Sequence, residues 1–284
     1  MNIELRVLGG FDLTFDGCNR SALPKKGKAL LAHLACAGTE VSRSVLADLL
    51  WPLQDEEQAR HSLRNLLLEI RKRHADVIAS NFGSCWIGVG VVSDVARFKA
   101  LCKNDDYASL VAAADLYAGE LLTHFNLDAS EPWNEWIRTE REVLENAARS
   151  CCLRLADEAL SRDDKSLAIV AVRRATEVDY YNELAQQRQY ELLNRVGLSV
   201  DAERKWREFG ERLRREYGVN PELPTTDSRM IDLSQATIAA ALRRQKQAQR
   251  KARFAQDLRT LRDAIAAVLT TMNERDDQHH DQAA

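Results

Sequence analysis

The sequence predicts a mainly α-helical protein: a small sheet with three helices and a closing hairpin at the amino end, then stacked helices, then a C-terminal helix. Three observations predict it. Strand-like alternation is confined to the stretch before Leu23 and to Val77–Val91, and elsewhere apolar residues recur every three or four positions. Glycine and proline number only 12 and 5 and aromatics make up 6% of the 284 residues, a balance that disfavours sandwiches and barrels. The chain is long enough for two ordinary domains and needs no covalent staples.

Ile3, Leu5 and Val7 alternate with Glu4 and Arg6 as in a half-buried strand, and Gly9-Gly10 turns it into a second, Phe11 to Phe15. Asp16-Gly17 makes the next turn, and Arg20 to Leu23 supply a third short strand before Pro24. Lys26 to Ala37 carries Leu30, Leu31 and Leu34 at helical spacing and stops before Gly38. Ser42 is placed to cap a shorter helix, Arg43 to Trp51, with Leu46, Leu49 and Leu50 on its apolar side.

The next helix, Asp55 to His74, has two incompatible faces. Ala59, Leu63, Leu66, Leu67 and Ile70 fall on one stripe, Arg60, Arg64 and Arg71 stack along its flank, and His61, Asn65 and Lys72 point away. Asp55 and Gln58 form a capping-box-like start. Val77 to Ala79 and Cys85 to Val91 then flank the turn Asn81-Phe82-Gly83-Ser84 as a hairpin. Sheet, three helices and hairpin, in that order, make a winged helix-turn-helix, whose third helix enters the major groove while the wing lies against backbone or minor groove.

A helix held by its leucines and offering Arg and Asn outward suits that groove, because Arg pairs with guanine and Asn with adenine. The candidate DNA-binding residues are Arg60, His61, Arg64, Asn65, Arg71 and Lys72. Arg64 is the base contact; Arg60 and Arg71, nearer the core flank, meet phosphates. Lys25, Lys26 and Lys28, at the start of the first helix, and Arg43, at the start of the second, join the set as backbone contacts. The competing reading is a solvated basic face on an ordinary core helix. A net charge of -3 makes any nucleic-acid surface a local, salt-sensitive patch, and the wing has no arginine between Val77 and Val92.

From Asp94 to Leu223 the chain reads as stacked helices: Leu110 to Tyr117, Ser130 to about Leu160, then 165–178, 183–196 and 199–217. Trp133, Ile137, Leu144, Ala148, Cys151, Leu155 and Ala159 share one side of the long helix. Paired helices at a period of about 34 residues resemble tetratricopeptide repeats, which implies a protein partner; the alternative is that these helices pack on the winged helix or form a dimer face. Leu223 to Ser228 is linker-like. Beyond it come a basic segment, Arg243 to Arg253, an a/d seam of Phe254, Leu258, Leu261, Ile265, Val268 and Met272, and a polar end from Asp276 expected to be disordered. The seam is read as a homo-oligomer contact, with folding back on the helices as the alternative.

No catalytic constellation emerges: there is no GxxxxGK[ST] loop, GxGxxG after a strand, HExxH or GxSxG. No enzyme activity, cofactor or metal is expected. The six cysteines, without CxxC spacing, read as reduced packing residues, and the chain has neither a signal peptide pattern nor an apolar run of spanning length. A cytoplasmic protein without membrane contact is expected.

LGGFDL, GKALLAHLACAG, SRSVLADLLWP and ARHSLRNLLLEIRKR resemble the DNA-binding domain of the Streptomyces antibiotic regulatory protein family, whose winged helix is of the OmpR type. The segments Asp94–Phe98, Leu116–Leu122, Trp136–Arg141 and Glu216–Pro221 resemble the bacterial transcriptional activator domain that follows it in that family. The resemblance covers roughly residues 3–226, departing where Asp179-Tyr180-Tyr181 replaces a usual Asp-Pro. It implies an OmpR-type winged helix over 1–93, a bacterial transcriptional activator domain over 94–226, and a linker with C-terminal helix over 227–284. It further implies an activator that docks on direct repeats in double-stranded promoter DNA and contacts RNA polymerase. The alternative is a protein-interaction module on a winged helix that does not bind DNA.

Overall fold

Ile3, Leu5 and Val7 turn inward while Arg6 stays exposed, and this alternation builds β1 (Ile3–Arg6). The computed structural model describes residues 2–19, 22–221 and 224; the chain divides into two units, Met1–Ala202 and Glu203–Ala284. β2 (Asp12–Phe15) pairs antiparallel with β1, Leu5 opposite Leu13. The third strand, β3, is Cys18–Asn19 and not Arg20–Leu23. Asp16 and Gly17 both have positive φ, 48° and 82°, so the turn closes in two residues and Cys18 falls directly opposite Phe15. Arg20 and Ser21 lie outside the described residues.

α1 (Lys25–Ala37) ends on Gly38, whose left-handed backbone donates its N–H to Leu34. β4 (Val41–Ser42) leads into α2 (Arg43–Leu50). Ser42 stands at the N-cap, but its hydroxyl pairs with that of Ser44 at 2.8 Å rather than with a helix amide. α3 (Glu56–Arg73) starts as expected, the Asp55 carboxylate accepting the Gln58 amide at 2.8 Å. Acids in its first turn and Arg71, Lys72 and Arg73 in its last match the helix dipole.

β5 (Ile78–Ser80) and β6 (Ser84–Ile87) form the wing, and β4 pairs with β6 in the order β4-β6-β5. Asn81 holds the turn by accepting the Gly83 and Ser84 amides at 2.9 and 2.7 Å. The single strand expected over Cys85–Val91 is interrupted. At Gly88 the Asp76 carbonyl occupies the place a Cβ would take, 1.9 Å from its ideal position. Beyond this pinch β7 (Val91–Ser93) leaves the wing and pairs in parallel with β1, giving the order β3-β2-β1-β7.

α4 (Asp94–Leu101), α5 (Tyr107–Leu116), α6 (Glu131–Ser161), α7 (Lys165–Val178), α8 (Glu183–Arg195) and α9 (Ser199–Tyr217) follow. α5 begins before the expected Leu110 because Asp106 caps it through the Ser109 amide at 2.9 Å. The predicted stripe of α6, from Trp133 to Ala159, is buried throughout. α7 and α9 start at Lys165 and Ser199, in keeping with a repeat of about 34 residues; α6, at 31 residues, is longer than a repeat helix. In the second unit Trp206, Phe209 and Leu213 make the buried side of α9.

Within the first unit the winged helix and α4–α6 share a core. The buried Asp94 carboxylate accepts the Val7 and Leu8 amides at 2.9 Å and the Val95 amide at 2.6 Å. Leu122, at φ 47°, donates its amide to Val7 at 2.8 Å, and Arg141 donates to the carbonyls of Leu121 and Leu122 at 2.8 and 2.7 Å. Lys99 reaches the Cys36 carbonyl at 2.8 Å and Glu140 at 2.5 Å, and the Ser130 hydroxyl donates to the Leu49 carbonyl at 2.6 Å.

The six cysteines are free, four of them buried; the Cys102 and Cys151 thiols lie 3.0 Å apart. The basic segment, heptad seam and polar end expected after residue 227 lie outside the described residues. Among the described residues no helix is long and apolar enough to cross a membrane, and no cluster of three His, Cys, Asp or Glu could hold a metal.

His33 of α1 packs edge-on to Trp136 with ring centres 4.5 Å apart, and its Nδ1 is buried without a partner. Burial pushes its pKa down to about 4, against an opposing pull from Glu140. Since the unfolded value is about 6.5, folding must exclude a proton that the unfolded chain binds. The contribution is complete above pH 6.5 and disappears as pH falls to about 4, a loss of roughly 2–3 kcal/mol. Urea unfolding across that range should show this slope, and His33→Phe should remove it; equal slopes in both proteins would refute the assignment.

Candidate nucleic-acid interface

Ala59, Leu63, Leu66, Leu67 and Ile70 are the buried residues of α3. They fix its rotation, which leaves Arg60, His61, Arg64, Asn65 and Lys72 exposed. Arg60 folds back one turn onto Glu56, an exposed i,i+4 pair worth only a few tenths of a kcal/mol and easily exchanged for another anion. Arg64 has no ion pair among the described residues.

Arg71 is half-buried and donates to the Ser80 hydroxyl on β5. Arg43 donates to the same hydroxyl at 3.0 Å, and its own amide donates to the Gly83 carbonyl at 2.9 Å. Two guanidinium groups thus converge on one neutral oxygen and tie α2 and α3 to the wing. The Nε of Arg43 is buried with no partner. Arg43, Arg60, Arg64, Ser42, Ser44 and Phe82 line an open cleft of about 610 Å³ between the start of α2, α3 and the wing tip. With three cationic side chains and serine hydroxyls, that cleft is suited to an anion.

Lys25, Lys26 and Lys28 do not join it. Lys25 pairs with Asp128 at 3.2 Å, Lys26 stands 4.4 Å over the Trp51 ring, and Lys28 5.4 Å over Phe11. Burial lowers the Lys26 pKa. Two exposed apolar residues escaped sequence reasoning: Leu68 on α3, 49% exposed, and Phe82 at the wing tip, fully exposed. Helical angle separates Leu68 from its neighbours Leu66 and Leu67, a signal hidden by the run of three leucines.

The bacterial transcriptional activator domain model matches residues 94–230. No curated protein matches the chain. Among solved structures, Mycobacterium tuberculosis EmbR in complex with a low-affinity phosphopeptide is similar, with a TM-score of 0.59 and 18% identity over 86% of this chain. The present chain spans 65% of the EmbR chain, and at this identity the likeness is one of fold. The activator-domain match begins at Asp94, directly behind the winged helix, so the chain carries a bacterial transcriptional activator domain behind a winged helix.

Proposed function

We propose that the protein is a cytoplasmic transcriptional activator that seats α3 in the major groove of double-stranded promoter DNA. The observation that carries this reading is the exposed row of donors on α3, held from behind by five buried apolar residues. Arg64 and Asn65 then read base edges. Arg60 and Arg43 neutralise phosphate, and the cleft they line has the chemistry for one; Arg71, bound to Ser80 outside that cleft, meets a further phosphate. Residues 1–93 would act as the DNA-binding module and 94–226 as the part that contacts RNA polymerase, with direct-repeat sites occupied by a homo-oligomer. The activator-domain match from Asp94 onward supports this division.

Arg64→Ala should weaken binding to a fragment selected from genomic DNA by about 1–3 kcal/mol while leaving nonspecific affinity little changed. Arg60→Ala should weaken binding to all sequences alike and flatten the salt dependence. Gel shifts measure both. A triple replacement of Arg60, Arg64 and Arg71 that leaves affinity intact would overturn the docking.

The wing without arginine favours a second reading, a protein-interaction module on a winged helix that no longer binds DNA. Salt titration separates the two: affinity that falls steeply with salt supports the activator, and no association even at low salt supports the module.

A further inference from the structure

Of the large apolar side chains on α3, only Leu68 is exposed, at 49%, while Leu66 and Leu67 beside it are 6% and 3% exposed. At 100° per residue, Leu68 falls on the outward stripe of His61, Asn65 and Lys72 rather than on the core stripe. It is therefore an apolar group set among hydrogen-bond donors. A dry protein interface covering it would also bury Arg64 and Asn65, and the cores of such interfaces are depleted of charged groups. The major groove has the matching mixture. Its base edges carry acceptors for Arg and Asn, and its apolar feature is the C5-methyl group of thymine.

We propose that Leu68 is a specificity-determining residue that packs on a thymine methyl. Leu68 lies three residues beyond Asn65, about 5 Å along the helix axis. The thymine is therefore one or two base pairs from the base that Asn65 contacts, given a step of about 3.4 Å. This inference rests on the docking of α3 in the major groove and adds to it a base that hydrogen bonding alone would not select.

The test removes the methyl without altering any hydrogen bond. In a genomic fragment selected by the full chain, each thymine of the site is replaced singly by deoxyuridine, and affinities are measured for the wild type and Leu68→Ala. One position should lower wild-type affinity roughly 4-fold, the worth of about 0.8 kcal/mol for one buried carbon. Leu68→Ala should bind the thymine and uracil versions of that position equally. Folding is not at stake at an exposed position, and circular dichroism checks it.

Wild-type indifference to every deoxyuridine, or a penalty that persists in Leu68→Ala, would overturn the inference while leaving the docking standing. So would Leu68→Ala altering self-association while the two probes stay equivalent. Failure of the wild type to bind any fragment at low salt would remove the docking itself, and this inference with it.

Discussion

Asp94→Ala should lower the stability of the first unit by about 4 kcal/mol, among the largest effects of a single side chain here. The carboxylate is buried and accepts the amides of Val7, Leu8 and Val95. Alanine leaves three donors without their acceptor, and each buried unsatisfied group costs about 1–3 kcal/mol. Asp94→Asn keeps one carbonyl oxygen but turns an amide donor toward backbone donors, so it should recover less than half of the loss. Urea unfolding measures both. A loss under about 1 kcal/mol for Asp94→Ala would mean that the end of β1 finds other acceptors.

Gly88→Ala should cost about 3 kcal/mol or more, because the added carbon would stand 1.9 Å from the Asp76 carbonyl oxygen, a backbone atom that no rotamer can move. Gly88 also donates its amide to Val77 at 2.9 Å, so relief means pulling the wing from the segment behind α3. The variant should lose thermal stability and wing packing together, visible as a changed Trp86 fluorescence, since Trp86 lies on β6. An alanine variant that melts at the wild-type temperature would contradict this geometry.

Much of this architecture was legible where a single period governs burial. The stripe of α6 and the apolar face of α3 follow from helical spacing alone, and both are buried as that spacing requires. Strand boundaries were less legible because they depend on partners. The Asp16-Gly17 turn sets β3 two residues early, and β7 ends up beside β1 only because Gly88 lets the chain cross from one sheet to the other. In the candidate site, Arg64 and Asn65 could be read from their position on α3. That Arg43 and Arg71 would meet at Ser80 could not, since those residues are far apart in sequence and close only after folding. Leu68 was masked by two buried neighbours of the same kind.

The seam around Leu122 bears on how such a molecule can respond. Its amide is held by Val7 and its carbonyl by Arg141, while Asp94 grips the end of the first strand. Among the described residues these bonds span the place where the winged helix meets the helices that follow it. A force applied to α6 would therefore reach α3 through these bonds, and regulation through this part of the chain would act on the first unit as a whole.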